Sequence, residues 1–273
     1  MDRPVRFLRR PLFEAALGSY CGSGAAHAYK RHFHEEIVLG ANLAAGEWLK
    51  LDRRDYVADQ GETTLYNPAQ VQEGGSLDPG RDWRFLTFYV DAQTAHQILY
   101  GVDGFVEFDA AVLSCEQTFG LFLEGERHFL AGRLEELDEV VALLLGQLAL
   151  RVGTVKRGKK IEPGLATADR RIRRVAEHLL GTLDTPPELA QLASEAGIST
   201  EHLVRSFSRT FGLPPMAWAM QMRLARARRL LRDGVTPAHV AADLGFADQS
   251  HLNRFFKRVS GVTPARFSRA LGR

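Results

Sequence analysis

Two histidines one residue apart could together bind a metal ion or a small polar molecule. They are His32 and His34, in the segment RHFHEEIVLG at 31–40. In a β-strand, residues i and i+2 point to the same side, so both imidazoles would face one space. A catalytic metal usually needs three protein ligands, and Glu35 or Glu36 could add a carboxylate. Metal binding, effector binding and simple hydrogen bonding within the fold are all open at this point.

Side chains of the kind that contact DNA bases occur in two segments near the C-terminus. Arg205 lies in the first, and Gln249, Asn253 and Arg254 lie in the second. Apolar residues at helical spacing occupy the other face of each segment, so these polar side chains should be exposed. In a major groove, Arg pairs bidentately with guanine, and Asn or Gln with adenine. An ordinary solvated helix face is the alternative interpretation.

These two segments belong to an internal repeat. LASEAGISTEHLVRSFSRTFGLPP at 192–215 aligns with VAADLGFADQSHLNRFFKRVSGVTP at 240–264 after one inserted residue. Each copy predicts a short helix, a turn at Gly197 or Gly245, and a second helix with Ser199 or Asp248 as its N-cap. This is a helix-turn-helix unit. Two such units in tandem indicate DNA binding much more strongly than one.

One long helix is predicted between the copies, in MAWAMQMRLARARRLLRDG at 216–234, with Gly234 as its end. About 17 helical residues at about 1.5 Å each span about 25 Å. A rod of that length could hold two recognition helices roughly one DNA turn apart. One chain could therefore read two adjacent major-groove segments.

Charge is distributed unevenly along the 273-residue chain, although the net value is only +2. Residues 1–150 have 13 Lys and Arg against 23 Asp and Glu, whereas residues 169–273 have 17 against 9. A basic part joined to an acidic body is typical of a nucleic-acid-binding module attached to another domain. We therefore expect DNA binding to be confined to residues 169–273.

The elements that position these residues fall into two kinds. Residues 25–110 predict a small β-barrel or sandwich, because β-branched and aromatic runs alternate with turn residues. Residues 116–150 have a helical period, with an apolar stripe at Leu134, Leu137, Val141, Leu144 and Leu148. The stripe predicts a homodimer interface along the helix at 134–148, and packing on its own domain is the alternative. The predicted domains are thus 1–150, a basic linker at 151–168, and 169–273.

Composition excludes several classes of protein. Apolar residues make up 45% and charged residues 25%, as in folded globular domains. No run of 18 apolar residues occurs, and Glu14 interrupts the segment that a signal peptide would need, so we expect a cytoplasmic protein with no membrane partner. The only cysteines, Cys21 and Cys115, provide neither a disulfide framework nor a CxxC pair. No nucleophile–base order, P-loop or GxGxxG after a strand indicates an enzyme.

Residues 169–273 resemble the DNA-binding domain of the AraC/XylS family, and GFADQSHLNRFFKRVSGVTPARF at 245–267 is similar to the family's signature stretch. The resemblance implies a transcription regulator that binds double-stranded promoter DNA, with RNA polymerase as a further candidate partner. It places the base-facing positions at Thr200, Glu201, His202, Val204, Arg205, Gln249, Ser250, His251, Asn253 and Arg254. Glu201 and Val204 make the first unit less typical of the family.

Residues 25–110 are similar to the cupin-type sensor found ahead of many such domains, on RHFHEEIVLG, GEWLKLD at 46–52 and GETTLYNPAQVQ at 61–72. That resemblance implies a small effector in the barrel and dimerisation by the helices that follow. The effector-binding candidates are His32, His34, Trp48, Tyr66, Gln72 and Trp83. An enzymatic cupin would add a carboxylate where this chain has Val38 and Leu39 and a histidine at Gln72, so no metal or other cofactor is predicted.

The sequence thus predicts an α+β multidomain protein, with a cupin-like β-barrel and helical dimerisation segment followed by an all-α double helix-turn-helix. Its predicted function is transcription regulation in response to a small-molecule effector, without catalysis. A metal-dependent cupin enzyme fused to a DNA-binding module and an effector-independent DNA-binding protein are the alternatives. The effector, the operator and the direction of regulation cannot be deduced from spacing.

Overall fold

The chain divides into two compact units near residue 160. The structure, a computed structural model, describes residues 5–20, 28–101, 104–156 and 168–270. Cys21 and most of the predicted linker, at 157–167, lie outside the described residues. Residues 151–156 are not linker, because they end one helix and form a short strand.

The first unit is built on two facing antiparallel sheets and a small third one. Its strands are β1 (Arg6–Arg9), β2 (Phe13–Tyr20), β3 (Ala28–His32), β4 (Ile37–Ala44), β5 (Glu47–Leu51), β6 (Arg54–Ala58), β7 (Glu62–Tyr66), β8 (Gln72–Ser76), β9 (Trp83–Val90), β10 (Phe105–Phe108), β11 (Val112–Ser114) and β12 (Gly153–Lys156). The six-stranded sheet has the order β1-β2-β9-β4-β7-β11, the four-stranded sheet β3-β8-β5-β6, and β10 pairs with β12. The predicted β-domain is confirmed.

Three helices cover one face of the six-stranded sheet: α1 (Ala92–Tyr100), α2 (Glu116–Ala131) and α3 (Leu134–Val152). Strand β9 shows why this face is apolar. Its alternate residues Leu86, Phe88 and Val90 are fully buried in the core beneath the helices, and Phe88 stacks on Phe122 of α2 at 5.6 Å. The intervening residues of β9 face the other sheet, because successive side chains of a strand alternate.

The apolar stripe on α3 is not a dimer interface. Leu137, Val141, Leu144 and Leu148 are each at most 1% exposed and belong to the core of their own domain, so that prediction is wrong. The physical reason is that the six-stranded sheet presents an apolar face broad enough to bury these four residues, whereas Leu134, at the start of the helix, is partly exposed. The outer face of α3 is a different surface, and it includes Leu143 and Leu150.

The second unit is all helical over its described residues. Its helices are α4 (Arg170–Gly181), α5 (Leu189–Ala196), α6 (Thr200–Phe211), α7 (Pro215–Arg232), α8 (Pro237–Asp243), α9 (Gln249–Ser260) and α10 (Pro264–Ala270). The long helix α7 joins two helix-turn-helix units, α5–α6 and α8–α9, as predicted. Within the described residues, no helix is both long enough and apolar enough to cross a membrane.

The two copies of the internal repeat have the same buried positions and the same type of helix cap. Leu203 and Leu252 are fully buried at equivalent positions of α6 and α9. Ser199 caps α6 by accepting the backbone N–H of His202, and Asp248 caps α9 in the same way. Gly212, which ends α6, has a φ of 73°, a backbone conformation that glycine adopts without strain. The predicted N-caps and the alignment of the two copies are therefore confirmed.

Candidate ligand-binding and DNA-binding sites

Polar and aromatic side chains meet between the two larger sheets of the first unit. We call them the inter-sheet cluster: Tyr20, Asn42, Thr64, Tyr66, Trp83 and Tyr89 from the six-stranded sheet, and Tyr29, His32, His34, Glu47 and Gln72 from β3, β5, β8 and the residues after β3. A hydrogen bond of 2.7 Å joins the hydroxyls of Tyr20 and Tyr29. Tyr20 also stacks on Trp83 at 5.8 Å. The two sheets thus enclose a polar interior rather than an apolar one.

Five of the six predicted effector-binding residues lie in this cluster, and Trp48 does not. Trp48 alternates with Glu47 and Leu49 along β5, and its partner in β6 is Val57, which is 53% exposed. Because neighbouring residues of a strand point to opposite faces, Trp48 lies on the outer face of the sheet. The structure therefore does not bring Trp48 into the cluster, and Glu47 holds the inward position instead.

His32 has both ring nitrogens engaged within the fold. Nδ1 lies 2.7 Å from the backbone carbonyl of Lys30, which can only accept, so Nδ1 carries the proton and donates it. In the neutral ring Nε2 then accepts from the amide nitrogen of Gln72 at 3.1 Å. A metal ion at Nε2 would have to displace Gln72. Within the described part of the chain, no three His, Cys, Asp or Glu side chains are grouped in a way that could hold a metal.

Gln72 has a polar atom without a partner. Because its amide nitrogen faces His32, its Oε1 points elsewhere, and that oxygen is buried with no hydrogen-bond donor from the protein. The whole residue is only 8% exposed. A buried acceptor of this kind costs free energy unless something donates to it.

Glu47 is the carboxylate that the four-stranded sheet contributes to the cluster, and Glu14 of β2, 5% exposed and paired with Tyr89, lies on the facing side of the six-stranded sheet. Burial penalises its charged form and raises its pKa to about 7, although side-chain donors from Thr64 and Asn42 act in the opposite direction. Burial, together with the nearby charge of Glu47, also holds the pKa of Tyr66 well above its usual value. Near neutral pH the cluster therefore contains a carboxyl group poised between its protonated and charged forms.

Sequence reasoning missed Glu47 and five further members of the cluster: Tyr20, Tyr29, Asn42, Thr64 and Tyr89. A signal for Glu47 was present, because EWLKL alternates and Leu49 and Leu51 identify the buried register. The tyrosines offered no such signal. They come from separate strands, and only the pairing of the sheets brings them together.

In the second unit, the ten predicted base-facing residues are all at least partly exposed on α6 and α9, although the Oδ1 atom of Asn253 is buried without a hydrogen-bond partner. Glu201, His202, Arg205, Gln249, Ser250 and Arg254 are exposed, and Thr200, Val204, His251 and Asn253 are partly exposed. The opposite faces are buried through residues such as Phe207 and Phe256. Both helices therefore present a polar face of the kind that can enter a major groove.

The two faces differ in charge. On α6, the carboxylate of Glu201 has a lowered pKa, mainly because its own backbone N–H and the Ser199 hydroxyl donate to it, with a further contribution from the charge of Arg205. His202 borders a groove of about 420 Å³ that Arg171 and Arg209 also line. On α9, no base-facing residue is acidic. The α9 face is thus better suited to contact an anionic duplex.

His251 has a structural role that the sequence did not reveal. Its Nδ1 accepts the backbone N–H of Ala247 at 3.3 Å, and its ring packs edge-on against Phe246 at 5.5 Å. It therefore supports the turn that leads into α9. Only the second ring nitrogen is left to face outward.

The turn of the second helix-turn-helix unit packs against the segment between α4 and α5. Arg223 of α7, only 6% exposed, donates from Nε to the carbonyl of Leu183 at 2.7 Å, and its guanidinium lies 5.3 Å from the centre of the Phe246 ring. Gly245 lies so close to the Asp184 carbonyl that a Cβ there would be 1.7 Å from the oxygen. The segment before α5 therefore docks on the turn of the second unit, which ties that turn to the part of the chain that leads into the first unit.

Comparison with known families agrees with this architecture. Residues 19–133 match the family model for the AraC-like ligand-binding domain, and residues 192–270 match a helix-turn-helix domain model. The chain belongs to the AraC family of transcription regulators. The predicted family, fold class and type of function are thereby confirmed.

Relatives of this AraC-family regulator align along most of its length. The arabinose operon regulatory protein of Escherichia coli is 27% identical over 243 residues, 84% of this chain and 79% of the relative. The HTH-type transcriptional regulator YbfI of Bacillus subtilis is 27% identical over 251 residues, 86% of this chain and 85% of the relative. The crystal structure of ToxT from Vibrio cholerae is similar in fold, with a TM-score of 0.58, 11% identity, and coverage of 96% of this chain and 99% of ToxT.

Replacement of Glu47 by glutamine should remove a pH dependence of stability. A carboxyl with a folded pKa of about 7 binds its proton more tightly than the unfolded chain does, so the wild-type free energy of unfolding falls as pH rises from 4.5 to 7. The difference is at most about 3 kcal/mol. Urea titrations between pH 5 and pH 8 should show Glu47→Gln gaining stability over wild type as pH rises. Glu73→Gln, on the outward register of β8, should follow wild type, and identical pH profiles for all three proteins would contradict the assignment.

The equivalent glycines of the two turns should tolerate alanine very differently. Gly197 and Gly245 both have a φ of 64°, but a Cβ at Gly197 meets nothing within 4 Å, whereas one at Gly245 meets the Asp184 backbone. Gly197→Ala should therefore cost about 1–2 kcal/mol from backbone strain alone. Gly245→Ala should cost at least about 2 kcal/mol more, because backbone must shift. Amide hydrogen exchange in the helices that flank each turn, α5 and α6 for Gly197→Ala and α8 and α9 for Gly245→Ala, measures this difference, and equal effects would show that the contact with Asp184 is unimportant.

Proposed function

We propose that this regulator reads two adjacent segments of a promoter with α6 and α9 and responds to a small-molecule effector bound in the inter-sheet cluster. The observation that carries the proposal is the pair of exposed, polar recognition helices held in one orientation by α7 and Arg223. Binding of both helices to one face of a duplex requires such a fixed spacing. Because it acts at a promoter, we assign it to the cytoplasm and name RNA polymerase as a further partner.

Effector binding is supported by the accessibility of the inter-sheet cluster. Tyr29, Glu47, Tyr66 and Tyr89 point toward the opposite sheet, yet each is partly exposed. Inward-facing side chains that solvent still reaches leave room for a ligand between the sheets. A protein that binds no effector gains nothing from such a polar interior, because apolar side chains at the same positions would make the domain more stable.

Catalysis is not part of the proposal. The metal-dependent cupin alternative needs His32 as a ligand, and both of its ring nitrogens are engaged by Lys30 and Gln72. The effector classes of similar proteins also differ. One relative regulates the arabinose operon, and ToxT has been crystallised with an unsaturated fatty acid.

Alanine at Arg205 or Arg254 should relax sequence preference in one half of the operator only. If each guanidinium reads a base, its loss costs about 1–3 kcal/mol of binding at a single half-site. The half-sites should lie about 10 base pairs apart. The measurement is a binding titration against operators randomised one base pair at a time, with Arg226→Ala on the exposed side of α7 as a charge-matched control. A uniform loss of affinity without a change in preference would show that these arginines bind phosphates only.

We also propose that the regulator is a homodimer through the outer faces of α2 and α3. Leu123, Leu130, Leu143 and Leu150 are 39%, 52%, 60% and 85% exposed, respectively. Leu123 and Leu130 are seven residues apart on α2, as are Leu143 and Leu150 on α3, so each pair lies on one face of its helix. A hydrogen bond from Arg151 to Gln117 joins the end of α3 to the start of α2, so the two helices run antiparallel. Large exposed apolar patches usually mark interaction sites.

Replacing Leu143 and Leu150 together by glutamate should give a folded monomer, because both side chains lie outside the core. Sedimentation measures the assembly state and circular dichroism the fold. Leu77→Glu, at another exposed leucine outside these helices, should leave the dimer intact. Glutamate at Leu144 would instead unfold the domain, since that residue is fully buried. A folded dimer of the double variant would assign the interface elsewhere.

A further inference from the structure

The inter-sheet cluster presents hydrogen-bond acceptors without a matching cation. Its inward acceptors include the Glu47 carboxylate and the unpartnered Oε1 of Gln72. Among the described residues that form the cluster, none is lysine or arginine. A ligand that satisfies this interior must therefore bring donors, preferably with a positive charge.

The free-energy cost of placing Glu47 between the sheets also favours a positively charged ligand. A carboxylate removed from water is unfavourable unless it is paired, and the donors Thr64 and Asn42 only partly compensate, as the raised pKa shows. An ammonium group from a ligand would supply the missing charge partner. The charge of Glu47 raises the pKa of both Tyr29 and Tyr66, so these rings lie near the carboxylate. They would add cation–π attraction to an ammonium group bound there.

Strand register separates the two acceptors and indicates the shape of the ligand. Glu47 pairs with Ser76, whereas Gln72 pairs with Leu51 at the other end of β5. Between them on the same face lies Leu49, which is 1% exposed because its own domain, including Tyr66, packs around its cluster. A ligand that reaches both acceptors therefore needs a charged donor at one end and a second donor at the other end.

We propose that the effector is a small organic cation, a protonated amine whose ammonium group binds Glu47 and whose second N–H or O–H donor reaches Gln72. The proposal rests on the proposed function, since it names the ligand class of the same site. It also excludes a class that binds a protein of similar fold. ToxT has been solved with an unsaturated fatty acid, whereas a carboxylate ligand here would meet the like charge of Glu47.

The test uses full-length protein and two sets of probes matched in skeleton and differing in the charge of one end group. The first set is 5-aminopentan-1-ol, pentane-1,5-diol and 5-hydroxypentanoate, and the second is tyramine, tyrosol and 4-hydroxyphenylacetate. Calorimetric titration should give an affinity at least about tenfold higher for the amine than for the neutral alcohol in one set or both, with the acid weakest. In Glu47→Gln the amine should bind no better than the alcohol, whereas Glu73→Gln should behave as wild type.

Several results would overturn the proposal. Equal affinity for amine and alcohol, unchanged amine binding in a folded Glu47→Gln, or no amine binding at about 10 mM would each do so. A pentose or oleate should also be titrated. If either of them binds and alters promoter affinity, the ligand class is wrong while the proposed effector function stands. Loss of operator binding by α6 and α9 is measured separately and bears on the proposed function alone.

Discussion

The first domain depends on a six-stranded sheet with two unlike faces. The period of two along each strand sends one set of side chains under α2 and α3 and the alternate set toward the second sheet. In β9, Phe88 faces the helices and Tyr89 faces the inter-sheet cluster. One face of the sheet therefore packs the core, and the opposite face lines the proposed ligand site. A register slip of one residue would exchange them.

A comparable constraint organises the second domain, where the helix-turn-helix repeat occurs twice but not in equivalent surroundings. The turns at Gly197 and Gly245 share one backbone conformation, yet only the second is packed against other backbone. Arg223 and Phe246 complete that contact. The support for the second recognition helix thus comes from the docking of the segment before α5 on the turn at Gly245 as well as from α7.

Glu47 illustrates how a binding site departs from what stability alone would select. A partly buried carboxylate without a cation weakens the domain at neutral pH, and its neighbours Thr64 and Asn42 offset the cost only in part. Such departures concentrate where a ligand completes the interactions. The unpartnered oxygen of Gln72 is a second departure of the same kind in the same interior.

The sequence by itself determined the β-domain, the tandem helix-turn-helix, the N-caps at Ser199 and Asp248, and the polar faces of α6 and α9. All of these follow from local signals, namely hydrophobic period, capping residues and an internal repeat, which act over a few residues. The sequence also showed that α3 has an apolar stripe. The sequence did not decide whether that stripe contacts a second chain or the sheet of its own domain. Tertiary structure decided it, because the apolar face of the sheet buries stripe residues such as Leu144.

Tertiary structure alone decided which polar residues share a site. As an aromatic residue Trp48 was a candidate for ligand contact, but the register of β5 places it on the outer face and places Glu47 in the inter-sheet cluster. Tyr20 and Tyr29 form one hydrogen bond across two sheets that no sequence spacing relates. Contacts between distant strands depend on pairing and register, whereas a single sequence records only the alternation within each strand.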